Sequence, residues 1–530
     1  KTEGYSRQQV ISKAADAIRV SNSYGMQGTG VSVSGIEQVR EEYYDIKYRN
    51  AMSTFQEYET KNTYLLELET YSNEMNTSSG YTKLFSNISS AMSSLISDPS
   101  GSTTRTQFTQ SLDNMTDYIN ELSSNYQETQ QSANTQISLY VDEVNSLGKQ
   151  IYTLSEQILN IEVRGGNASD LRDQRALAVD NLSEIVNVSV EESSMTYGTG
   201  KDAVDSGGST FIVRINNQVL VDSAGSNRLQ VVPREEKVNQ NDIDGIYDVY
   251  WEGKDGTIGD DFKLNDSSCE GKLKGLYEIR DGNNANPISG TISAITNGAT
   301  IHNATMTLSK SISINELTLS DSGTVTFNGK ECYYDGWDAV CDAEGNITKV
   351  TFNNLTTRDS SGNIVVASLD DDISDGYSDL TKAASVGESV NFKGIPYYME
   401  RLNQFVRTFS DYMNDIATYT KTDISTGLVT DYAADANGDA GLDVFTTLDT
   451  TGADYVLKGT GTGPTLSNTQ ASYYRLTALN WSVNSAVLKD SNKVVTALSS
   501  DVMQGNKDAN SVIKKMYDGL TDKKMFTLGT

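Results

Sequence analysis

The segment from Phe108 to Ile161 carries an almost continuous heptad seam, which constrains the fold more than any other feature of the sequence. Its members recur at alternating steps of four and three residues, with one additional step of four between Ala133 and Ile137. Such a repeat keeps one stripe of a helix turned toward a partner, and the additional step is a stutter that unwinds the supercoil locally. The sequence predicts one helix roughly 80 Å long. The seam positions are Phe108, Leu112, Met115, Ile119, Leu122, Tyr126, Thr129, Ala133, Ile137, Tyr140, Val144, Leu147, Ile151, Leu154, Ile158 and Ile161.

A helix of this length can pack in two ways. We expect it to lie in an intramolecular bundle, and an intermolecular coiled coil is the alternative. Rods this long are ordinary in structural assemblies and unusual in enzymes.

The charge balance excludes some classes of partner. The 530 residues include 42 Lys and Arg against 71 Asp and Glu, which gives a net charge of −29. Phosphate-binding surfaces need clustered basic side chains, and none is visible, so we expect no nucleic acid and no membrane as partner. No apolar run reaches the 18 or more residues of a membrane span.

Few residues in the chain suit catalysis or metal binding. His302 is the single histidine, whereas most general-base and zinc sites need a well-placed one. We expect His302 to be an exposed strand or loop residue, and we expect no catalytic, cofactor or metal site. Cys332 and Cys341 flank a turn and could pair, although free thiols are the expectation; Cys269 has no evident partner.

The periodicity divides the chain into helical and β segments, and the fold class we predict is α+β multidomain. An elongated α-helical bundle is formed by the N- and C-terminal parts, with inserted antiparallel β domains between them. We expect the insert at 283–391 to fold autonomously. The predicted segments are an N-terminal motif segment at 1–35, the first part of the bundle at 36–190, a β domain at 191–282, the outer β domain at 283–391, and the second part of the bundle at 392–530.

Local signals set several element boundaries. A helix is expected from Ile36 to the turn at 77–80, and Ser169 is expected to cap the helix that follows the seam. The pair Asn216-Asn217 predicts the turn of a β-hairpin. A short helix is expected over Leu273–Ile279, and helical patterns begin again at Ile395. Residues 421–470 are a polar stretch, and the final helical pattern runs from Leu476 to the end.

Several motifs together resemble one family. Lys1-Thr-Glu-Gly-Tyr-Ser-Arg-Gln8 is similar to an element near the N-terminus of bacterial flagellar rod, hook and hook-associated proteins. Asp170-Leu-Arg-Asp-Gln-Arg175, followed by Leu182-Ser183, resembles the signature of the first hook-associated protein. Further matches, in the order expected, are Gly28-Thr-Gly-Val31, Val186-Asn-Val-Ser-Val190, Gly271-Lys-Leu-Lys-Gly-Leu276, Glu278-Ile-Arg-Asp281, Ile395-Pro-Tyr397 with Leu402-Asn403, and Gly505-Asn-Lys-Asp-Ala-Asn510.

The chain departs from the family pattern in places. Glu3 stands where the family usually has Pro, and Ala176 where it often has Asp. Residues 283–391 separate two elements that are normally near neighbours. The apolar terminal helices that pair in the family's axial core are also missing, so we expect a trimmed, monomeric fragment.

The resemblance implies a structural function. The expected role is a ring of subunits at the junction between hook and filament, outside the cell, after type III flagellar export without a cleavable signal. The implied partners are neighbouring copies, hook protein, the next junction protein or flagellin, and an export chaperone bound through the missing C-terminus.

Three alternatives were compared with this function, and two of them remain. Another axial protein, such as flagellin or hook protein, is one. A surface adhesin is the second, and it would need an aromatic face on the insert, for which Tyr333, Tyr334 and Trp337 are the local cluster. A hydrolase needing a His-Glu-x-x-His motif is excluded by the single histidine.

One loop is similar to the start of a calcium loop. Asp435-Ala-Asn437-Gly-Asp439 has the first three acidic or amide positions, but Ala440 and Thr446 stand where an EF-hand needs Gly and Glu. We expect a polar turn, with calcium binding as the alternative. Acidic pairs such as Glu41-Glu42 and Glu235-Glu236 are expected to be solvated surface charge.

Overall fold

The computed structural model has an α+β fold with antiparallel sheets. It describes residues 7–19, 26–38, 41–72, 80–197, 204–297, 302–343, 346–358, 364–366, 383–447, 465–467 and 473–521. The predictions for Lys1–Ser6, for the turn at 77–79, for much of the 421–470 stretch and for the chain after Thr521 lie outside these residues. The helices are α1 (Glu42–Ser72), α2 (Tyr81–Ser97), α3 (Ser102–Glu162), α4 (Ser169–Ile185), α5 (Lys272–Asp281), α6 (Ile395–Ala417), α7 (Ser485–Lys489), α8 (Ser499–Met503) and α9 (Ser511–Thr521).

The strands pair into antiparallel sheets. In chain order the strands are β1 (Gln8–Ala14), β2 (Ile18–Arg19), β3 (Met26–Gln27), β4 (Val31–Gln38), β5 (Val188–Tyr197), β6 (Val204–Ile215), β7 (Gln218–Val221), β8 (Leu229–Pro233), β9 (Tyr247–Glu252), β10 (Ile258–Asp261), β11 (Ile288–Asn297), β12 (His302–Ser313), β13 (Gly323–Phe327), β14 (Lys330–Tyr334), β15 (Gly336–Cys341), β16 (Asn346–Asn353), β17 (Thr356–Arg358), β18 (Ile364–Val366), β19 (Ala383–Val386), β20 (Thr420–Thr422), β21 (Val429–Ala434), β22 (Phe445–Thr446), β23 (Thr465–Ser467), β24 (Ser482–Val483) and β25 (Ala497–Leu498).

The predicted seam helix is confirmed as α3. Every seam position is buried except Tyr140 and Ile161, and at the stutter Val141 takes the inward place that the heptad count gives to Tyr140. The helix ends where Gly165 adopts a φ of +80°, and the backbone N–H of Gly166 donates to the carbonyl of Ile161 at 3.0 Å. That left-handed glycine ends the helix as the sequence suggested.

The expected helix start at Ile36 is wrong. Ile36 lies in β4, which pairs antiparallel with β1, and α1 begins only at Glu42. The residues from Val31 onward, which precede α1, alternate between apolar and polar side chains and form a strand. Ser169 is also not the cap of α4, because the cap position is Ala168 and the Asn167 side chain accepts the Ser169 N–H at 2.8 Å.

The chain divides into two compact units. The first comprises Lys1–Thr63, Ala133–Pro233 and Tyr247–Glu278. It contains two three-stranded sheets, ordered β5-β6-β7 and β10-β9-β8. The predicted hairpin turn is confirmed, since Asn216 and Asn217 both have positive φ and join β6 to β7. The short helix expected over Leu273–Ile279 is α5.

The second unit comprises Tyr64–Ser132, Arg234–Ile246 and Ile279–Thr530. Its helical core gathers α2, the first part of α3, α6 and α9 around Phe409, Phe445 and Trp481. Aromatic rings stack closely there, with Phe445 and Trp481 centroids 4.8 Å apart. N-terminal and C-terminal helices therefore share one apolar core within this unit.

The second unit also contains a sheet of ten described strands, ordered β18-β17-β14-β13-β19-β11-β12-β16-β15-β23. Its strand β23 comes from residues 465–467, and Tyr474, which is 1% exposed, belongs to its hydrophobic core. The sheet therefore draws on residues outside 283–391, and the segment boundaries and the autonomy of the insert stay predictions.

The helical patterns expected from Leu476 onward are confirmed in α9 and wrong for most of the chain before it. The chain from Leu476 to Met503 forms short helices and strands instead. Asn484 and Asp490 explain the breaks, because each side chain accepts a backbone N–H two residues ahead, at 2.9 and 3.0 Å. Such local bonds compete with the helical ladder.

The cysteine and histidine predictions can also be compared with the fold. All three cysteines are free thiols, as expected, with Cys269 and Cys332 buried. His302 begins β12 and is half-buried rather than exposed. Among the described residues, no helix combines the length and the apolar character that a membrane crossing requires.

Candidate assembly surface

The motif at 170–175 places two arginines in an ion-pair network of the first unit. Arg172 binds both carboxylate oxygens of Glu162, at 2.6 and 2.8 Å, and also contacts Glu192. Arg175 bonds Glu192 at 3.1 Å and stacks 3.6 Å from the centre of the Phe211 ring. Burial alone would raise the pKa of Glu192, but the two arginines hold it below its ordinary value. These motif residues therefore fasten α4 to the end of α3 and to the β5–β6 sheet.

The motif at 271–276 owes its glycines to close packing. Gly271 has a φ of +95°, and a Cβ there would lie 2.5 Å from the carbonyl oxygen of Ile185. A Cβ on Gly275 would lie 2.7 Å from the carbonyl oxygen of Glu57 in α1. Only glycine allows α5 to approach these backbones so closely.

The buried side of α1 in the first unit is polar. Between residues 42 and 63 the buried side chains are Arg49, Ser53 and Lys61. Arg49 bonds a carboxylate oxygen of Asp180 at 2.7 Å, and the Lys61 ammonium lies between the carboxylates of Glu57 and Glu278. Burial alone would lower the pKa of Lys61, but these two carboxylates raise it. This side of the helix is held by ion pairs in place of an apolar core.

The exposed side of the same helix is aromatic. Tyr44, Tyr48, Phe55 and Tyr58 are between 50% and 66% exposed. Their spacings of four, seven and three residues are those of a heptad seam. An apolar seam on the outside of a helix is the surface that a further helix packs against. We define these four residues as the α1 stripe.

The β1–β4 hairpin before α1 is also open. Val10, Ile11, Val31 and Val33 are all exposed. A lone two-stranded hairpin is marginal in water and needs a surface to pack on.

The Arg-Asp motif at 280–281 anchors a buried network in the second unit. Arg280, which is 0% exposed, bonds Asp281 at 2.6 Å, and Arg234 bonds the same carboxylate at 3.3 Å. The Gln130 amide joins the Arg280 carbonyl to the buried Asp242 carboxylate, at 3.1 and 3.0 Å. Burial alone would raise the pKa of Asp281, but the two guanidinium groups lower it. The motif thus ties α5 to α3.

Comparison with known proteins shows what part of the chain is similar to. A family model described as "Flagellar hook-associated protein FlgK helical domain" matches residues 65–301. Flagellar hook-associated protein 1 of Bacillus subtilis (strain 168) is 26% identical over 219 residues, or 40% of this chain and 42% of the relative. Over these residues the chain is similar to the flagellar hook-associated protein 1 family.

Other members of the family match a comparable share of the chain. Flagellar hook-associated protein 1 of Escherichia coli (strain K12) is 26% identical over 281 residues, which cover 52% of this chain and 47% of the relative. The chain thus matches less than half the length of these relatives. The structure of the flagellar hook junction protein FlgK from Burkholderia pseudomallei overlaps 65% of this chain and 60% of its own, at a TM-score of 0.34 and 16% identity.

The loop that is similar to a calcium loop contains its own cation. The Lys493 ammonium lies 2.9 Å from a carboxylate oxygen of Asp435 and 2.9 Å from one of Asp439. The other Asp435 oxygen accepts the backbone N–H of Asn437 at 2.8 Å. Within the described residues, no group of three or more His, Cys, Asp or Glu could hold a metal ion. This geometry favours the polar turn over calcium binding.

The aromatic residues of the insert do not form a binding face. Trp337 is fully buried and Tyr334 is 2% exposed, and Trp337 packs edge-on against Tyr474 at 4.9 Å. Tyr333 is covered by the Arg358 guanidinium at 5.7 Å. The adhesin alternative therefore loses the feature that would have supported it.

Sequence reasoning located the motif residues but not the α1 stripe. Tyr43, Ile46, Phe55 and Leu68 lie at amphipathic helical spacing, yet of these four only Leu68 is buried. Arg49 and Lys61 mark the inward side of α1, but their partners Asp180 and Glu278 lie far along the chain and could not be identified from spacing.

Proposed function

We propose that this protein is a structural component of the bacterial flagellum that forms, with further copies of itself, a ring at the junction between hook and filament. The match of residues 65–301 to the helical domain of the family carries this proposal. In this role the protein performs no chemistry and is located outside the cell.

The α1 stripe is the part of the surface suited to assembly. Four large aromatic side chains lie in water along one helix face. Covering them with an apolar helix releases roughly 25 cal/mol for each Å² of apolar surface removed from water. The ion pairs beneath α1 hold the helix in place before that partner arrives. We propose that this face is covered in the assembled flagellum.

The proposed partners follow from the family. Neighbouring copies, hook protein, and the next junction protein or flagellin would contact the assembled ring, and an export chaperone would act before assembly. Secretion would use the flagellar type III channel.

Complementation tests the proposal. A flagellated bacterium whose own copy of the gene has been deleted, and which therefore lacks filaments, is supplied with one of two proteins. These are the natural protein and the double variant Tyr48→Ser/Phe55→Ser. We expect the natural protein to restore filaments, and the double variant to be exported yet fail to enter the hook–filament junction.

The matched control is Ile424→Ser. Ile424 is fully exposed on the β20–β21 hairpin, so this change removes an exposed apolar side chain away from α1. Circular dichroism establishes that each purified variant is folded. Failure of the natural protein to restore filaments would contradict the junction role, whereas normal assembly of the double variant would contradict only the role of the stripe.

A further inference from the structure

The β1–β4 hairpin of the first unit is held mainly by its own backbone pairing. Its strands pair from Gln8 with Gln38 to Ala14 with Val31. Residues 7–19 and 26–33 include no buried side chain. A two-stranded hairpin is marginal in water unless it packs against a helix or a further strand. We call the described part of residues 7–38 the N-terminal hairpin.

One face of the N-terminal hairpin is apolar. Ser12 pairs with Val33 and Ala14 with Val31, and the side chains of cross-strand partners point to the same side of a sheet. Val10 precedes Ser12 by two residues on β1, so its side chain lies on that side as well. Val10, Val31 and Val33 are 55%, 70% and 68% exposed. Three valines on one face are therefore in contact with water, which is unfavourable until a partner covers them.

The charge of this hairpin differs from that of the whole chain. Residues 7–38 contain three basic and two acidic side chains, whereas the complete chain has a net charge of −29. The basic side chains, Arg7, Lys13 and Arg19, are all exposed. An acidic protein surface therefore attracts the hairpin although it repels most of the chain.

The α1 stripe of another copy has the complementary character. It is an exposed apolar helix face, which is a surface on which a two-stranded hairpin becomes stable. Glu42 and Glu59 are exposed on the same helix, and Lys47 is its exposed basic side chain within residues 42–63. The hairpin and the stripe thus match in apolar character and are opposite in charge.

Ring assembly requires two different surfaces on each copy. A contact between two identical stripes is isologous, so it closes after two copies. A contact between the hairpin of one copy and the stripe of the next is heterologous, so it can be repeated around a ring. This step rests on the proposed ring function.

We propose that the N-terminal hairpin of one copy packs its valine face on the α1 stripe of a neighbouring copy. The two apolar faces cover each other, and the basic side chains of the hairpin are drawn to the acidic residues of α1. The hairpin gains a helix to pack against, and the aromatic side chains of the stripe are removed from water.

Photo-crosslinking in assembled flagella tests this contact. The deletion strain is supplied with two copies of the protein that carry different epitope tags, one of them with Val33→p-benzoylphenylalanine. We expect ultraviolet light to produce a crosslinked pair that carries both tags, with the crosslink in residues 42–63. The matched control, Ile424→p-benzoylphenylalanine, places the same group on an exposed residue of the β20–β21 hairpin and should give no crosslink to α1.

The ring function and this contact fail in different ways. If the natural protein does not restore filaments, both are overturned. If filaments form, only the contact is overturned when the probe at Val33 gives no crosslink, or a crosslink within one chain. A crosslink to hook protein, to flagellin or to another part of a second copy would overturn it equally.

Charge reversal gives a second measurement, and it should not unfold the protein because the hairpin side chains are exposed. Incorporation into the junction is measured relative to the amount of protein exported. Lys13→Glu/Arg19→Glu should lower this ratio roughly tenfold, because like charges then face each other across the contact. Adding Glu42→Lys/Glu59→Lys to the same chain should restore most of the loss.

The matched control for charge is Lys421→Glu/Lys489→Glu. It reverses two exposed charges of the second unit and should assemble as the natural protein does. An equal loss in this control would show that net charge alone decides assembly. That outcome, normal assembly of Lys13→Glu/Arg19→Glu, or no restoration in the combined variant would each overturn the proposed contact.

Discussion

Helices α1 and α6 distribute their polar and apolar side chains in opposite ways. In the first unit α1 buries Arg49 and Lys61 and exposes Phe55. In the second unit α6 buries an apolar run that includes Phe405 and Phe409. Helix α6 packs its apolar side chains against other parts of the chain. Helix α1 is held by ion pairs, and its apolar face is exposed to water.

The difference shows how stability and assembly can be assigned to separate helices. A core helix such as α6 gains its stability from apolar burial and from ring contacts, such as the 5.6 Å stacking of Phe405 on Phe409. Ion pairs contribute less, but they fix a helix in one register and leave its apolar stripe available. A helix built in this way is suited to a protein that is completed only in an assembly.

The largest expected effect compares the same substitution on the two helices. Phe409→Ala should lower the free energy of unfolding by about 3–5 kcal/mol, because it opens a cavity in a fully buried core. Phe55→Ala should change it by less than about 1 kcal/mol, because that ring lies mostly in water. Urea unfolding followed by circular dichroism measures both. Equal losses for the two variants would show that α1 is packed as α6 is.

The buried cation of α6 gives the second comparison. Arg407 donates to the carbonyls of Leu317, Tyr474 and Leu476 at 2.7 to 2.9 Å, and burial lowers its pKa to about 10. Arg407→Met should cost about 3 kcal/mol, because those carbonyls lose their donor inside the protein.

The matched control for this variant is Arg228→Met. Arg228 has a largely exposed side chain paired with Glu252 and should change stability by less than about 0.5 kcal/mol. Similar melting temperatures for the two variants would mean that Arg407 does not hold its three carbonyl partners together.

Features set by local periodicity could be predicted from the sequence. The heptad seam from Phe108 to Ile161 predicted α3, which extends six residues further at its start and one at its end, and Asn216-Asn217 predicted the β6–β7 turn. Both depend on neighbours in the chain, so spacing and backbone preference suffice.

Features that depend on distant partners were missed. The inward face of α1 depends on Asp180 and Glu278, which lie more than a hundred residues after α1 in the sequence. The buried Arg407 depends on carbonyls from two distant segments, at Leu317 and at Tyr474 and Leu476, which no pattern encodes. The short elements after Leu476 were missed because the side chains of Asn484 and Asp490 cap the starts of new short elements, which interrupts the helix that the apolar spacing alone would continue.

The third prediction concerns two half-buried carboxyl groups, Asp411 on α6 and Asp443 just before β22. Burial raises the pKa values of Asp411 and Asp443 to about 6. Because these values lie above those of the unfolded chain, the two groups favour folding at low pH. That contribution is lost as the pH rises through about 6. Asp411→Asn and Asp443→Asn should each raise the stability at pH 7.5 by about 1 kcal/mol, after allowance for partial exposure.

Thermal unfolding at pH 5 and pH 7.5 measures this effect. The natural protein should be less stable at the higher pH, and the two variants should show a smaller difference. Asp490→Asn is the control, since its carboxylate is exposed on a short turn. If the variants are as pH-dependent as the natural protein, the buried carboxyls do not set its pH profile.

The smallest expected effect concerns an ion-pair contact whose cation and carboxylates all come from the second unit. Lys493 supplies the cation between Asp435 and Asp439, and the two carboxylates raise its pKa. Because the ammonium already occupies the position of a bound cation, millimolar calcium should leave the melting temperature of the natural protein unchanged.

Lys493→Met should lower that temperature slightly, and added salt should reduce the difference, since salt screens an exposed ion pair. Lys489→Met, which removes an exposed lysine from α7, should change nothing. A calcium-dependent rise in the natural protein would mean that the loop binds metal in competition with Lys493, and that this contact, like the α1 stripe, is completed from outside the chain.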